Sequence, residues 1–325
     1  MRKLWLLVGL LVLVALVLLW AFPRGRRVAI TVDDLPYVHG TFAYPDLNAE
    51  DAAAVAVNSR LLSAFRAHRV PVTGFVIQQS VEHFGDTGTQ ILRQWVGQGY
   101  DLGNHTYSHP HMESLSIEDF EDEVVRGEAG FVPVLREAGK EPEFFRFPFN
   151  ETGETKAKHD AIAAFLSQRG YEVAVCTIQN SDYIFNDAYL KMLEKHDDAN
   201  AQKLRREYLD FTSAKIDYYA ALSKTVFGYE PPQVTLMHDN QLNADVIDQI
   251  LALYEQKQYK FVTLAAAQSD RAYRTPDTYI RKIGPMWGYR WALERGVKVN
   301  GKLETQPPQW VVDYTREPPP PVQGQ

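Results

Sequence analysis

The run Val28-Ala29-Ile30-Thr31-Val32, closed by Asp33-Asp34, decides how this chain is read. It is apolar and β-rich, the pattern of a strand, and it delivers two carboxylates at its C-terminal end. About seventy residues later comes His105-Thr106-Tyr107-Ser108-His109. A carboxylate plus two histidines is a metal-binding set, and a second carboxylate beside the first can handle the proton of a metal-bound water. Together these residue types outline a metal-assisted hydrolase.

Outward from that run, similar short runs recur at Val72 to Ile77, Tyr100 to Gly103, Phe144 to Phe147, Glu172 to Ile178, Gln233 to Met237 and Phe261 to Leu264, about seven in all. Helical stretches lie between them, the clearest starting near Asn48, Ser116, Glu154 and Asn243, with Ser116 and Asp119 forming a capping-box pattern. The alternation predicts an α/β chain of parallel strands joined by crossover helices. Barrels of this kind place their chemistry at the C-terminal ends of the strands. Asp33-Asp34, His105, Arg146, Asp182 and His238-Asp239 each fall just after a predicted strand.

Each candidate also has a plain structural reading. Adjacent acids after a strand commonly form a solvated turn, Arg146 could pair with a surface acid, and His238-Asp239 could simply end a strand. His105 and His109 are spaced i, i+4, which on a helix would put both on one face, but Pro110 can break a helix there and His111 competes as a partner. Their joint occurrence on one rim, in a chain with nine histidines, favours chemistry.

The 325 residues are 45% hydrophobic and 23% charged, enough for one large core. A net charge of -7 with no Lys or Arg block in the body of the chain argues against nucleic acid and for a neutral or cationic substrate. The single cysteine, Cys176, excludes an intramolecular disulfide and a cysteine-ligated zinc cluster and reads as a buried apolar residue. Leu4 to Phe22 is uncharged and long enough to span a bilayer as a helix, with Trp5 and Trp20 near its ends. Leu19, Trp20, Ala21 and Phe22 make a poor cleavage site, so a signal anchor is favoured over a cleaved signal peptide. Arg24, Arg26 and Arg27 nearly balance Arg2 and Lys3, and charge alone leaves the orientation open.

The motifs, in order, resemble the polysaccharide deacetylase family, the NodB-homology domain of carbohydrate esterase family four. The family's Thr-Phe-Asp-Asp appears as Thr31-Val32-Asp33-Asp34, and its His-Ser/Thr-x-x-His as His105-Thr106-Tyr107-Ser108-His109. Arg146-Phe147-Pro148-Phe149, Asn180-Ser181-Asp182-Tyr183 and Leu236-Met237-His238-Asp239 resemble the remaining motifs. Phe149 stands where tyrosine is common, Gln179 where an acid is common, and Tyr183 where tryptophan is common. The resemblance implies a distorted (β/α)7 barrel over residues 27–270, after an anchor and basic flank at 1–26 and before an extension and Pro-rich tail at 271–325. A charged helical insert at about 186–227 departs from the family and would reshape the substrate groove.

The resemblance also implies roles. Asp34, His105 and His109 would ligate a divalent metal, most plausibly zinc. Asp33 would be the base, His238 the acid, Asp182 its orienting partner, and Arg146 the partner of Asp33. Pro148 and Phe149 would contribute to substrate or oxyanion contacts, the latter through its backbone N–H. The expected reaction removes N-acetyl groups from an acetylated polysaccharide or oligosaccharide outside the cytoplasm, on the periplasmic or extracellular side. Alternatives are O-acetyl ester cleavage, deacylation of a non-polysaccharide substrate, and a catalytically silent carbohydrate-binding barrel. Tyr37, His39, Trp287, Tyr289 and Trp291 could stack on sugar rings or merely pack.

Overall fold

The computed structural model describes residues 25–38, 44 and 46–316. The chain alternates strands and helices: β1 (Arg27–Leu35), α1 (Leu47–Ala67), β2 (Thr73–Val76), α2 (Gln78–Gly97), β3 (Asp101–Asn104), α3 (Ile117–Gly127), α4 (Phe131–Glu137) and β4 (Phe144–Phe145). There follow α5 (Lys156–Gln168), β5 (Glu172–Val173), β6 (Ile178–Gln179), α6 (Asp182–Glu194), α7 (Asp198–Phe227), β7 (Gln233–His238), α8 (Gln241–Gln256), β8 (Lys260–Phe261) and α9 (Leu264–Gln268). Two further helices, α10 (Trp287–Glu294) and α11 (Gln309–Thr315), lie in the C-terminal extension. Every strand pairing is parallel. The order β5-β4-β3-β2-β1-β7-β6, with β8 on β1, fits a curled α/β barrel.

The opening run explains why β1 is central. Val28, Ala29, Ile30 and Val32 are fully buried, as expected for a strand covered on both faces. Its residues Val28 to Asp33 pair in register with Gln233 to His238 of β7. The run from Glu172 behaves differently from a single predicted strand. Its start pairs with β4, Val175 N–H is taken by the Gln268 side chain at 2.7 Å, and Thr177 N–H donates to Val234 O at 2.9 Å. The run thus changes partner midway, leaving two-residue ladders, β5 and β6. Leu264 is likewise helical rather than extended, because the Thr263 hydroxyl caps α9 by accepting from Ala266 N at 3.1 Å.

Helix starts follow their caps. The Ser116 and Asp119 capping box is present at α3, whereas α1, α5 and α8 are capped by Asp46, Thr155 and Asn240, shifting their starts by one to three residues from the sequence expectation. Helix α2 begins after Ile77 with no side-chain cap, and so carried no start signal in the sequence. Among the described residues no helix is long and apolar enough to cross a membrane. The Leu4 to Phe22 segment, His39 and Pro318 to Pro321 lie outside the described residues.

The extension packs on the barrel. Trp287 and Trp291 of α10 and Val311 of α11 are buried, so for the two tryptophans packing prevails over sugar stacking. Each such side chain stabilises the fold by roughly 1.5–3 kcal/mol. Cys176 is buried and free.

Candidate functional site

Successive side chains on a strand point to opposite faces, so Asp33 and Asp34 could not both serve one site on a regular strand. The chain resolves this with an irregularity. The β1–β2 register shifts between Val32 and Leu35, and Asp34 takes φ +65°, a conformation that Asp tolerates better than most residues. The turn beyond is anchored by Asn58, whose amide donates to Pro36 O at 2.7 Å and whose oxygen accepts from Trp95 Nε1 at 2.7 Å.

His105 and His109 are not on a helix. They sit on a loop after β3, with φ of +71° at Thr106 and +55° at His109. The loop is held from below by side chains. Asn104 Oδ1 accepts from Thr106 N at 2.8 Å, and Glu123 accepts from the N–H groups of Tyr107 and Ser108 at 3.1 and 2.8 Å. His105 Nδ1 bonds the Arg146 carbonyl at 2.8 Å, which fixes the ring and leaves Nε2 facing the acids. Burial pushes the His105 imidazole down to about 4, keeping it in the neutral, ligating form.

His105 Nε2 and His109 Nε2 lie 3.5 and 3.8 Å from Asp34 Oδ1, and all three ligand atoms fall within 4.8 Å of one another. Asp34 Oδ1 is buried and has no hydrogen-bond partner among the described residues, an orphan that a cation would satisfy. Burial alone would raise the Asp34 carboxyl, but the charges of His109, His238 and His105 outweigh it and hold it below its ordinary value. The set fits a divalent cation. His111 turns elsewhere, to Glu151 at 3.1 Å.

Asp33 and Arg146 are almost wholly buried, and their Oδ1 and Nη1 are 2.6 Å apart. Arg146 is held further by donating to Thr31 Oγ1 at 2.6 Å and by lying over the Phe75 ring at 4.1 Å. On the neighbouring strand, His238 is the register partner of Asp33. Its Nδ1 is 2.7 Å from Asp182 Oδ1, and its backbone N–H donates to Asp182 Oδ2 at 2.7 Å. Asn240 and Asn243 also donate to Asp182 Oδ2, at 3.1 and 2.5 Å. Burial alone would lower the His238 imidazole, yet the Asp182 charge and hydrogen bond outweigh it, with smaller help from Asp34 and Asp33, and raise it to about 10. Asp182 lies on the first turn of α6, where a carboxylate also meets the positive end of the helix dipole. Asp239 is buried and does not line the cavity.

These groups open into a cavity of about 540 Å³. Phe149 lines it, 45% exposed, stacked on His111 at 3.9 Å and edge-on to His109 at 4.6 Å. Pro148 is buried and does not reach the lining; its fixed φ starts the turn that presents Phe149. Tyr37 is also buried, bonded to Tyr44 at 2.7 Å. Tyr183 lines the rim, and Tyr289 joins it with Tyr219 and Glu304, which sequence reading passed over. Glu123 was legible in principle: Phe120, Glu123, Val124 and Gly127 form the buried face of α3 at i, i+3, i+4 and i+7, and an acid in such a stripe needs a partner.

A buried carboxylate, an imidazole paired with a second carboxylate and a set of candidate cation ligands on one rim are the group types that acyl hydrolysis uses. Comparison with known proteins points the same way. The model of the polysaccharide deacetylase family matches residues 23–174. A peptidoglycan-N-acetylglucosamine deacetylase of Bacillus cereus is 27% identical over 34% of this chain and 38% of its own. A chitooligosaccharide deacetylase of Sinorhizobium fredii is 30% identical over 24% of this chain and 35% of its own. The alignments thus span little more than a third of these relatives. A crystal structure of a polysaccharide deacetylase from Bacillus cereus shares the fold, with TM-score 0.50 and 18% identity over 73% of this chain and 91% of that one. Residues 23–174 are thus similar to the polysaccharide deacetylase family, and Asp33, Asp34, His105, His109 and Arg146 all lie in the matched segment.

Proposed function

We propose that this chain is a polysaccharide deacetylase, a metal-dependent hydrolase that removes N-acetyl groups from a cell-wall or surface polysaccharide or its fragments. The observation that carries the reading is the register of Asp33 with His238 across β1 and β7, beside the Asp34, His105 and His109 set. Neighbouring strands are about 4.8 Å apart, so a base and an acid are held at adjacent points of one frame.

Asp34, His105 and His109 would hold the cation, and two imidazoles with one carboxylate suit zinc. When bound, the cation supplies Lewis acidity, which lowers the pKa of a water and polarises an acyl carbonyl. Asp33 accepts the proton of the attacking water, while Arg146 fixes the position of its carboxylate. The Phe149 N–H donates toward the carbonyl oxygen as negative charge develops there. His238 is protonated at neutral pH and gives its Nε2 proton to the departing nitrogen, a poor leaving group until it carries one. Asp182 orients that ring and favours the imidazolium.

The names of the relatives support an amino-sugar substrate, since they act on peptidoglycan N-acetylglucosamine and on chitooligosaccharides. Such polymers lie outside the cytoplasm, and an anchor at Leu4 to Phe22 would hold the domain on that side of the membrane. The test is acetate release from chito-oligosaccharides, peptidoglycan fragments and acetylated exopolysaccharides, with and without chelator. Chelator-sensitive release is expected. Release indifferent to chelation, or none from any acetylated sugar, would overturn the reading.

A further inference from the structure

The cavity is completed by parts of the chain beyond the segment the family model matches. Gly284, Met286, Tyr289 and Glu304 come from the C-terminal extension and Tyr219 from α7. They form one joined wall. At one end, a Cβ on Gly284 would lie 2.2 Å from Phe149 O, so the two backbones touch and only glycine fits. The buried Arg290 locks that contact by donating to Asn150 O and to Pro285 O. Below, Trp287 N–H donates to Cys176 O at 3.2 Å, at the junction between β5 and β6. At the other end, Glu304 accepts from the hydroxyls of Tyr219 and Tyr289 at 2.6 and 2.7 Å and pairs with the buried Lys215.

A long polysaccharide lying across the rim needs the cavity open at two ends, and the residues of this wall line the cavity. The remaining volume, about 540 Å³, is that of a small-molecule pocket. Resting on the deacetylase reading above, we propose that the site accepts the end of a sugar chain or a short oligosaccharide and excludes interior residues. The Tyr219 and Tyr289 side chains, braced by Glu304, then form the closed end against which the terminal ring stops.

The test uses the full chain on reducing-end-labelled chito-oligosaccharides from dimer to hexamer, with the deacetylated ring located by tandem mass spectrometry. A terminal ring should lose its acetyl group at least about tenfold faster than any interior ring, at a rate per chain that does not grow with length. Interior loss at comparable rates overturns this inference and leaves the deacetylase reading standing, while no release from any oligomer removes both. Tyr289→Ala, once a thermal melt shows it folded, should gain interior deacetylation. If it folds and still acts only at the end, the wall is not the cause; if it does not fold, the wild-type product pattern alone decides.

Discussion

Asp33 and Asp182 are both carboxylates buried at the rim of one barrel, and they are held in opposite ways. Asp33 faces Arg146 at 2.6 Å, a partner that stays charged at any working pH. Asp182 faces His238 at 2.7 Å, a partner that can lose its proton. A guanidinium partner fixes the carboxylate's position and, on the proposed reading, leaves it to act as the base. With a titratable one, the carboxylate's effect appears in its neighbour, whose imidazole rises to about 10. On the proposed reading, one residue type thus serves as base or as tuner according to what it is paired with.

The largest expected effect comes from breaking the first pair's function while keeping its shape. Asp33→Asn should cut acetate release by at least about a thousandfold and leave zinc affinity, measured by calorimetry, within a few fold. Full activity in that variant would sink the assignment. His238→Ala should cost about a hundredfold or more on N-acetyl substrates and clearly less on O-acetyl esters, whose leaving group needs less protonation; equal losses on both would remove His238 as the acid.

Asp182→Asn sharpens the contrast through pH. A general acid works while protonated, so wild-type activity should fall as pH rises through the raised His238 value of about 10, a bound cation offsetting the part due to Asp34 and Asp33. Without the Asp182 charge that alkaline limb should move down toward the ordinary imidazole value of about 6.5. Stability follows the same sign. The His238 contribution is fully present below about 6.5 and is lost as pH rises through about 10, so wild-type melting temperature should drop over that window more than the variant's. An unmoved alkaline limb would refute the pairing as the source of the shift. The smallest effect is expected from Glu123→Gln, which leaves the histidine loop one neutral amide oxygen in place of two carboxylate oxygens: roughly tenfold or less in metal affinity, read by competition with a chromophoric chelator.

Much of this contrast was legible in the sequence because strands and motifs coincide there. The β1 run and the His238 strand are short, apolar and end on polar residues, so both strand ends and the side chains they present were visible. The Asp33 with Arg146 and Asp182 with His238 contacts anticipated from the family resemblance occur at hydrogen-bond distance. What was not legible depends on tertiary partners. The i, i+4 spacing of His105 and His109 would suit a helix, which Pro110 argued against, and the outcome was decided by Glu123 and Asn104, which hold a loop with two left-handed residues. The Glu172 run looked like one strand, yet it changes neighbours midway because Gln268, far along the chain, claims the N–H of Val175. Tyr219, Tyr289 and Glu304 were overlooked as a group because nothing local marks residues that meet only after the extension folds back.

Helix α7 reaches deeper than the cavity wall. Its Tyr208 hydroxyl donates to Asn243 Oδ1 at 2.7 Å, and Asn243 in turn donates to Asp182. On the proposed reading, selectivity and proton supply share a helix. A mutant library drawn on α7 to change which sugars are accepted would mix two phenotypes, altered fit and a mis-set His238, unless position 208 were kept as tyrosine. Conversely, substitutions at 208 alone offer a way to turn down turnover without touching any atom in reach of the sugar.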